Sequence, residues 1–185
     1  MPKIVEIERT PNPNAMRFVL KEQVSFGPAR SFENAEQAQT DDLAKALFAI
    51  EDVLSVFYVD KYVTVTQNGK QEWPSLLRKL ANVIREAPAA ERETTVIDFS
   101  EENMGPMPGA DDPRLAQINE MLDEQVRPYL MADGGGLRIM GLEDNQLKVH
   151  YQGACGTCPS STTGTLFAIE SMVKRIDPEI EVVSV

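Results

Sequence analysis

Thiols and imidazole are scarce in this chain: 185 residues hold two cysteines and one histidine. One histidine cannot build a multi-imidazole metal cage, and no Ser/His/Asp arrangement for nucleophilic catalysis is in view. Two cysteines cannot build the disulfide framework of a small secreted domain. Long apolar runs are missing as well, and none approaches the ~18 residues that a membrane-crossing helix needs. Basic charge is in deficit, with 18 Lys and Arg against 29 Asp and Glu and a net charge of −11. Without a basic patch to neutralise phosphates, nucleic-acid binding is disfavoured. The opening "MPKIVEIERTPNP" has neither the apolar core of a signal peptide nor the Arg/Ser-rich look of a transit peptide. The expectation is a cytoplasmic protein with no membrane partner.

What is present is ordinary globular material, 42% hydrophobic and 25% charged. The acidic excess is uneven. Residues 1–88 carry 11 basic and 12 acidic groups, residues 89–113 one and seven, and residues 114–185 six and ten. The middle stretch runs into "APAAERETTVIDFSEENMGPMPGADDP", with four prolines, two glycines and no periodic pattern. Like charges repel and backbone breakers prevent regular pairing, so 89–113 reads as a flexible acidic linker. The short "TTVIDF" within it is the one part suited to a strand edge or a docking segment.

Each flank has its own pattern. Ile4, Val5 and Ile7 alternate with charges, and "AMRFVL" follows the turn cluster "TPNPN". Leu43, Leu47 and Ile50 recur at helical spacing behind Thr40, Asp41 and Asp42, which are good N-terminal residues. "VLSVFYV" and "YVTVTQ" flank Asp60-Lys61 as a hairpin, and Trp73, Leu76, Leu77, Leu80, Val83 and Ile84 form a helical stripe. Beyond the linker the order is helix, strand, strand, helix, strand. Leu115 to Tyr129 carries a helical pattern in which Pro128 should kink or tighten the last turn. "DGGG" is read as that helix's C-terminal cap and turn, packed near the cysteine loop, rather than as a phosphate cradle. The fold class expected is α+β: two small domains, 1–88 and 114–185, each a small sheet with antiparallel hairpins packed against two helices.

The two cysteines sit together in "VHYQGACGTCPSS", between a strand and a helix expected to open near Pro159. Gly153 and Gly156 permit the left-handed turns that let two sulfurs converge, and Ala154 and Thr157 are small. Pro159 suits a first helical position and Ser160 can satisfy neighbouring amides, while a helix N-terminus favours thiolates. Three chemistries fit such a pair. A dithiol–disulfide oxidoreductase uses this spacing, yet no βαβ context, shielding aromatic or facing X-Pro loop is evident. A zinc site wants four ligands, and His150 alternates with Val149 and Tyr151 so as to face away from them. An all-cysteine iron–sulfur cluster needs four sulfurs, which two copies of this loop across a two-fold axis would supply.

Residues 114–185 resemble the NifU-type C-terminal domain of Nfu iron–sulfur carrier proteins. The resemblance lies in "LDEQVRPYLMADGGGLRIMGL" and "VHYQGACGTCPSSTTGTLFAIESMVKRIDPEIEVVSV". Residues 1–88, with "RTPNPNAMRF", resemble the N-terminal domain that accompanies it in many of these proteins. The resemblance implies a non-enzymatic carrier or scaffold. It implies that Cys155 and Cys158 are ligands of a 4Fe–4S cluster shared between two subunits, with Gly153, Gly156, Pro159 and Ser160 as the supporting loop. It further implies a homodimer when loaded, an upstream cluster donor and apo iron–sulfur client proteins as partners. The N-terminal domain would then be a partner-recognition unit.

Overall fold

The structure, a computed structural model, describes residues 2–88, 107–158 and 164–185. The chain divides into two compact units, Met1–Asp98 and Phe99–Val185. Both are α+β, as the sequence patterns require.

The first unit is one five-stranded antiparallel sheet in the order β1-β2-β5-β4-β3. Its strands are β1 Ile4–Arg9, β2 Ala15–Leu20, β3 Arg30–Phe32, β4 Val53–Val59 and β5 Tyr62–Gln67. Asp60 turns the β4–β5 hairpin at φ 53°, so that Val59 faces Tyr62. The "TPNPN" turn is held internally: the Thr10 hydroxyl accepts from the Asn12 amide at 3.2 Å, and Asn12 Oδ1 accepts from the Asn14 amide at 3.0 Å. Two helices, α1 Asp42–Phe48 and α2 Trp73–Glu86, cover one sheet face. Asp41 caps α1 by accepting from the Ala44 amide at 2.8 Å. Leu76, Leu80 and Ile84 of α2 are fully buried at i, i+4 and i+8, each contributing about 1.5–3 kcal/mol by leaving water. β3 is too short to show alternation in the sequence, and the 3₁₀ turn Gln37–Thr40 before α1 has no periodic signal at all.

The second unit places α3 Pro113–Gln125 and α4 Arg127–Ala132 before a hairpin of β6 Gly135–Glu143 and β7 Gln146–Gly153. The helix α5 Leu166–Val173 and the strand β8 Glu181–Ser184 follow, and β8 pairs parallel to β7. One long helix was expected where α3 and α4 stand. The break falls at Val126, whose φ of −122° leaves the helical region, and Pro128 lies in the first turn of α4. That placement follows from proline chemistry, because a missing N–H is harmless only at a helix start. Asp144 and Asn145 both take positive φ in the β6–β7 turn, the geometry whose twist suits a two-residue hairpin.

Of the stretch expected to be linker, residues 89–106 lie outside the described residues, including "TTVIDF". Pro108 and Gly109 lie against β6. The Pro108 carbonyl accepts from the Leu142 amide at 2.9 Å, and a Cβ on Gly109 would stand 2.2 Å from the Leu142 carbonyl oxygen. Arg114 then ties the start of α3 to the rest of the unit, with Asp112 at 2.7 Å, Asp177 at 2.6 Å and Asn145 at 3.0 Å.

Candidate functional site

Alternation along β7 sets up the site. Leu147, Val149, Tyr151 and Gly153 form its buried face, while Lys148, His150 and Gln152 point the other way. His150 hydrogen-bonds through Nδ1 with the Val185 carbonyl at 2.8 Å, away from the buried face. At the end of the strand Gly153 takes φ 61°, a left-handed conformation that turns the chain back. The Gly153 carbonyl accepts from the Gly156 amide at 3.2 Å, and the Cys155 carbonyl receives the Cys158 amide at a long 3.4 Å. Two tight turns in succession therefore carry the two cysteines. Cys155 and Cys158 are 2% and 3% exposed, whereas the tip between them, Gly156 and Thr157, is open to solvent. Neither sulfur is in a disulfide.

The glycines that follow α4 complete the loop's seat. The Gly134 amide donates to the Met131 carbonyl at 3.1 Å, closing α4, and the Gly134 carbonyl accepts from Ala154 at 3.2 Å. Gly135 pairs with Gly153 across the hairpin. A Cβ on Gly135 would stand 2.6 Å from Cys155 Sγ, 2.8 Å from the Cys155 amide nitrogen and 2.5 Å from the Gln152 carbonyl oxygen. Only the absence of a side chain lets Cys155 lie there. "DGGG" is thus both the helix cap expected of it and one wall of the cysteine loop.

The sequence reading overlooked Tyr151. It is 4% exposed, shares one apolar cluster with Cys155, and its hydroxyl has no hydrogen-bond partner among the described residues. Burial, and after it the charge of a Cys155 thiolate, push the phenol up to about 12. The available signal was the β7 alternation, which puts Tyr151 on the same face as Val149, four residues before Cys155.

Of the expected supporting residues, Gly153 takes the left-handed turn, whereas Gly156 does not, and its missing side chain instead spares a contact of 3.1 Å with the Tyr151 carbonyl oxygen. Pro159 and Ser160 lie outside the described residues, as does the helix start expected at 160–163. Among the described residues no three His, Cys, Asp or Glu side chains gather into a metal-sized cluster. The chemical capacity of the loop is two adjacent soft thiols, suited to iron–sulfur or zinc ligation or to disulfide exchange.

Comparison with known proteins covers both units. Residues 5–91 match the family described as "Scaffold protein Nfu/NifU N terminal", and residues 118–184 match the "NifU-like domain". The chain is 31% identical over 183 residues to the human protein named NFU1 iron-sulfur cluster scaffold homolog, mitochondrial, covering 96% of this chain and 69% of that one. The Drosophila erecta protein of the same name is 30% identical over 179 residues, with 96% and 62% covered. The chain thus spans about two-thirds of the length of these curated relatives. Among solved structures, the crystal structure of protein SAV1430 from Staphylococcus aureus is 26% identical with a TM-score of 0.39, covering 44% of this chain and 98% of that one.

Proposed function

This chain belongs to the Nfu/NifU family of iron–sulfur cluster scaffold proteins, and from that premise we propose that it carries a 4Fe–4S cluster and delivers it to apo-proteins. The observation that carries the proposal is the Cys155–Cys158 loop. Two buried thiols stand on consecutive tight turns, in a chain that has no other cysteine. A 4Fe–4S cluster takes four thiolates, so two copies of the loop supply the set and the loaded form is a homodimer. Cys155 and Cys158 are its ligands, with Gly153, Gly156, Pro159 and Ser160 around them. The cluster is cargo. Held at a junction between copies, by a loop whose tip is open to solvent, it can leave when a client offers better ligands.

No helix among the described residues is long and apolar enough to cross a membrane. Two cysteines at this spacing make no secreted disulfide framework, and we propose the cytoplasm as the working compartment. The relatives' names place those proteins in mitochondria. Residues 1–88 are assigned to partner recognition, 89–113 to the connector, and 114–185 to the cluster. The partners are an upstream cluster donor and apo iron–sulfur clients, and the chain itself is a carrier and not a catalyst.

Anaerobic reconstitution with iron and sulfide, followed by addition of an apo 4Fe–4S enzyme, tests the reading. The expected result is a broad visible absorbance that decays as the enzyme gains activity. Disulfide turnover by the metal-free monomer, with no iron uptake, would point to dithiol exchange instead.

A further inference from the structure

An antiparallel sheet with helices on one face and water on the other shows burial at every second residue. The sheet of the first unit does not. Along β5 Tyr62 is half-buried and the next five residues are all buried, and β4 holds four buried residues in succession. Val56, Tyr58, Val63 and Val65 pack with α1 and α2 in one apolar cluster, so Phe57, Thr64 and Thr66 lie on the other face. There the strand register sets Phe57 beside Thr64 and Ser31, and Thr66 beside Ser55 and Ala15. Phe57 is 2% exposed, yet cross-strand neighbours as small as serine and threonine cannot enclose a ring. The hydroxyls of Ser31, Ser55, Thr64 and Thr66 are buried with no hydrogen-bond partner among the described residues. This face is covered, and by neither helix.

We infer that the cover is the chain's own segment 94–99, "TTVIDF", docked in extended form across the second face of the first sheet. Among residues 89–106 this stretch alone combines β-branched and aromatic residues. Thr95, Ile97 and Phe99 alternate onto one side of an extended segment, two of them apolar for Phe57 and one a hydroxyl for the threonines. Its backbone also brings an amide and a carbonyl at each residue, which a serine or threonine hydroxyl can use in either role. The tether is long enough. Helix α2 closes at Ala87, which is buried in the helix-side core. The six residues 89–94 reach about 20 Å, the two layer spacings of about 10 Å that separate a helix layer from the far side of a sheet. The first compact unit also runs to Asp98 and does not stop where α2 ends. Docking of 94–99 leaves only residues 100–106 before Met107, a reach of about 25 Å where 89–106 would allow about 60 Å. The docked segment thereby limits how far the cysteine loop ranges from the first unit.

The metal-free, full-length chain tests this, so the result does not depend on iron uptake. Nuclear Overhauser contacts from the Phe57 ring to Ile97 or Phe99 are expected in the wild type. The double variant Ile97→Asp/Phe99→Asp would press two carboxylates onto an apolar, hydroxyl-lined face and so release the segment. Its first unit is expected to melt about 4 °C or more below the wild type and to bind a dye that reports exposed apolar surface. Val96→Asp, on the opposite side of the same extended segment, should change neither readout. Should the double variant fail to fold, the wild-type contacts decide the matter alone. Contacts from Phe57 to any other part of the chain overturn the inference. Contacts seen only between differently labelled copies overturn it in favour of a second chain as the cover, and a folded double variant that melts with the wild type overturns it as well.

Discussion

The two units share a plan of small sheet and covering helices but treat their buried polar groups differently. In the first unit Asp41, Tyr58 and Arg30 form a closed network. The Tyr58 hydroxyl donates to Asp41, Arg30 Nη1 donates to the same carboxylate at 2.9 Å, and the other oxygen caps α1. Burial, then the Asp41 charge, hold the Tyr58 phenol far above its usual range, so it remains a donor. In the second unit the buried Tyr151 hydroxyl has no partner among the described residues, in the apolar cluster that also holds Cys155. Ser31, Ser55, Thr64, Thr66 and Gln67 of the first sheet also hold buried polar atoms without partners among the described residues. A buried tyrosine in the first unit is tied into a network that also caps α1, whereas the buried tyrosine of the second lies at the turn that carries the cysteines.

The largest effect expected from this contrast is chemical. Cys155→Ser should lower the iron retained after reconstitution ~10-fold or more, by removing half of each chain's thiolate ligands. Circular dichroism should show both units still folded. Retention of full iron by this variant would remove the ligand assignment. Next comes Asp41→Ala, which strips the helix cap and leaves two buried donors unmet. It should destabilise the first unit by about 2–4 kcal/mol in urea unfolding while iron uptake is unchanged. A fall in iron uptake alongside the stability loss would mean that the two units are not separable in this way.

Gly135→Ala is smaller in stability and more telling about the site. A Cβ at that position meets backbone and Cys155 Sγ inside 3.0 Å, so the apo second unit should lose about 1–3 kcal/mol. Cluster loading should drop with it, whereas Gly69→Ala in the first unit should leave loading untouched. The smallest effect is in acid. Hydrogen bonding to Arg114 holds Asp112 below the usual carboxylate range, and the Glu179 amide, then Arg114, does so for Asp177. Carboxylates with depressed values add stability that is present above their unfolded value near ~4 and is lost as pH falls through the folded one. The second unit's melting temperature should therefore hold between pH 7 and about 5 and decline below about 4. Arg114→Met should flatten that decline slightly, since the groups are solvent-exposed and screened. An identical decline in the variant would show that the clamp contributes nothing.

Much of this architecture is legible in residue order. The alternation of "KIVEIER", the stripe Leu76–Leu80–Ile84 and the hairpin at Asp60 are local signals, and each became the expected element. What escaped was short or non-local. Three residues cannot display a strand period, so β3 was invisible. Whether Pro128 kinks a helix or starts one depends on Val126 two residues earlier. The cysteine pair announced itself by spacing. The fit of Gly135 against Cys155 joins residues 20 positions apart and is set by hairpin register. Tyr151 entered only as a residue that His150 faces away from, because sequence alternation separates two faces but does not show an unmet hydroxyl.

The central claim is that one cluster is held by four cysteines from two copies of this 20.6 kDa chain. Native mass spectrometry of the anaerobically reconstituted protein, with iron and sulfide counted in the same species, tests it most directly. The account predicts a loaded form at twice the chain mass with about four irons and four sulfides, and an empty form without them. Iron and sulfide carried at the mass of a single chain would contradict it.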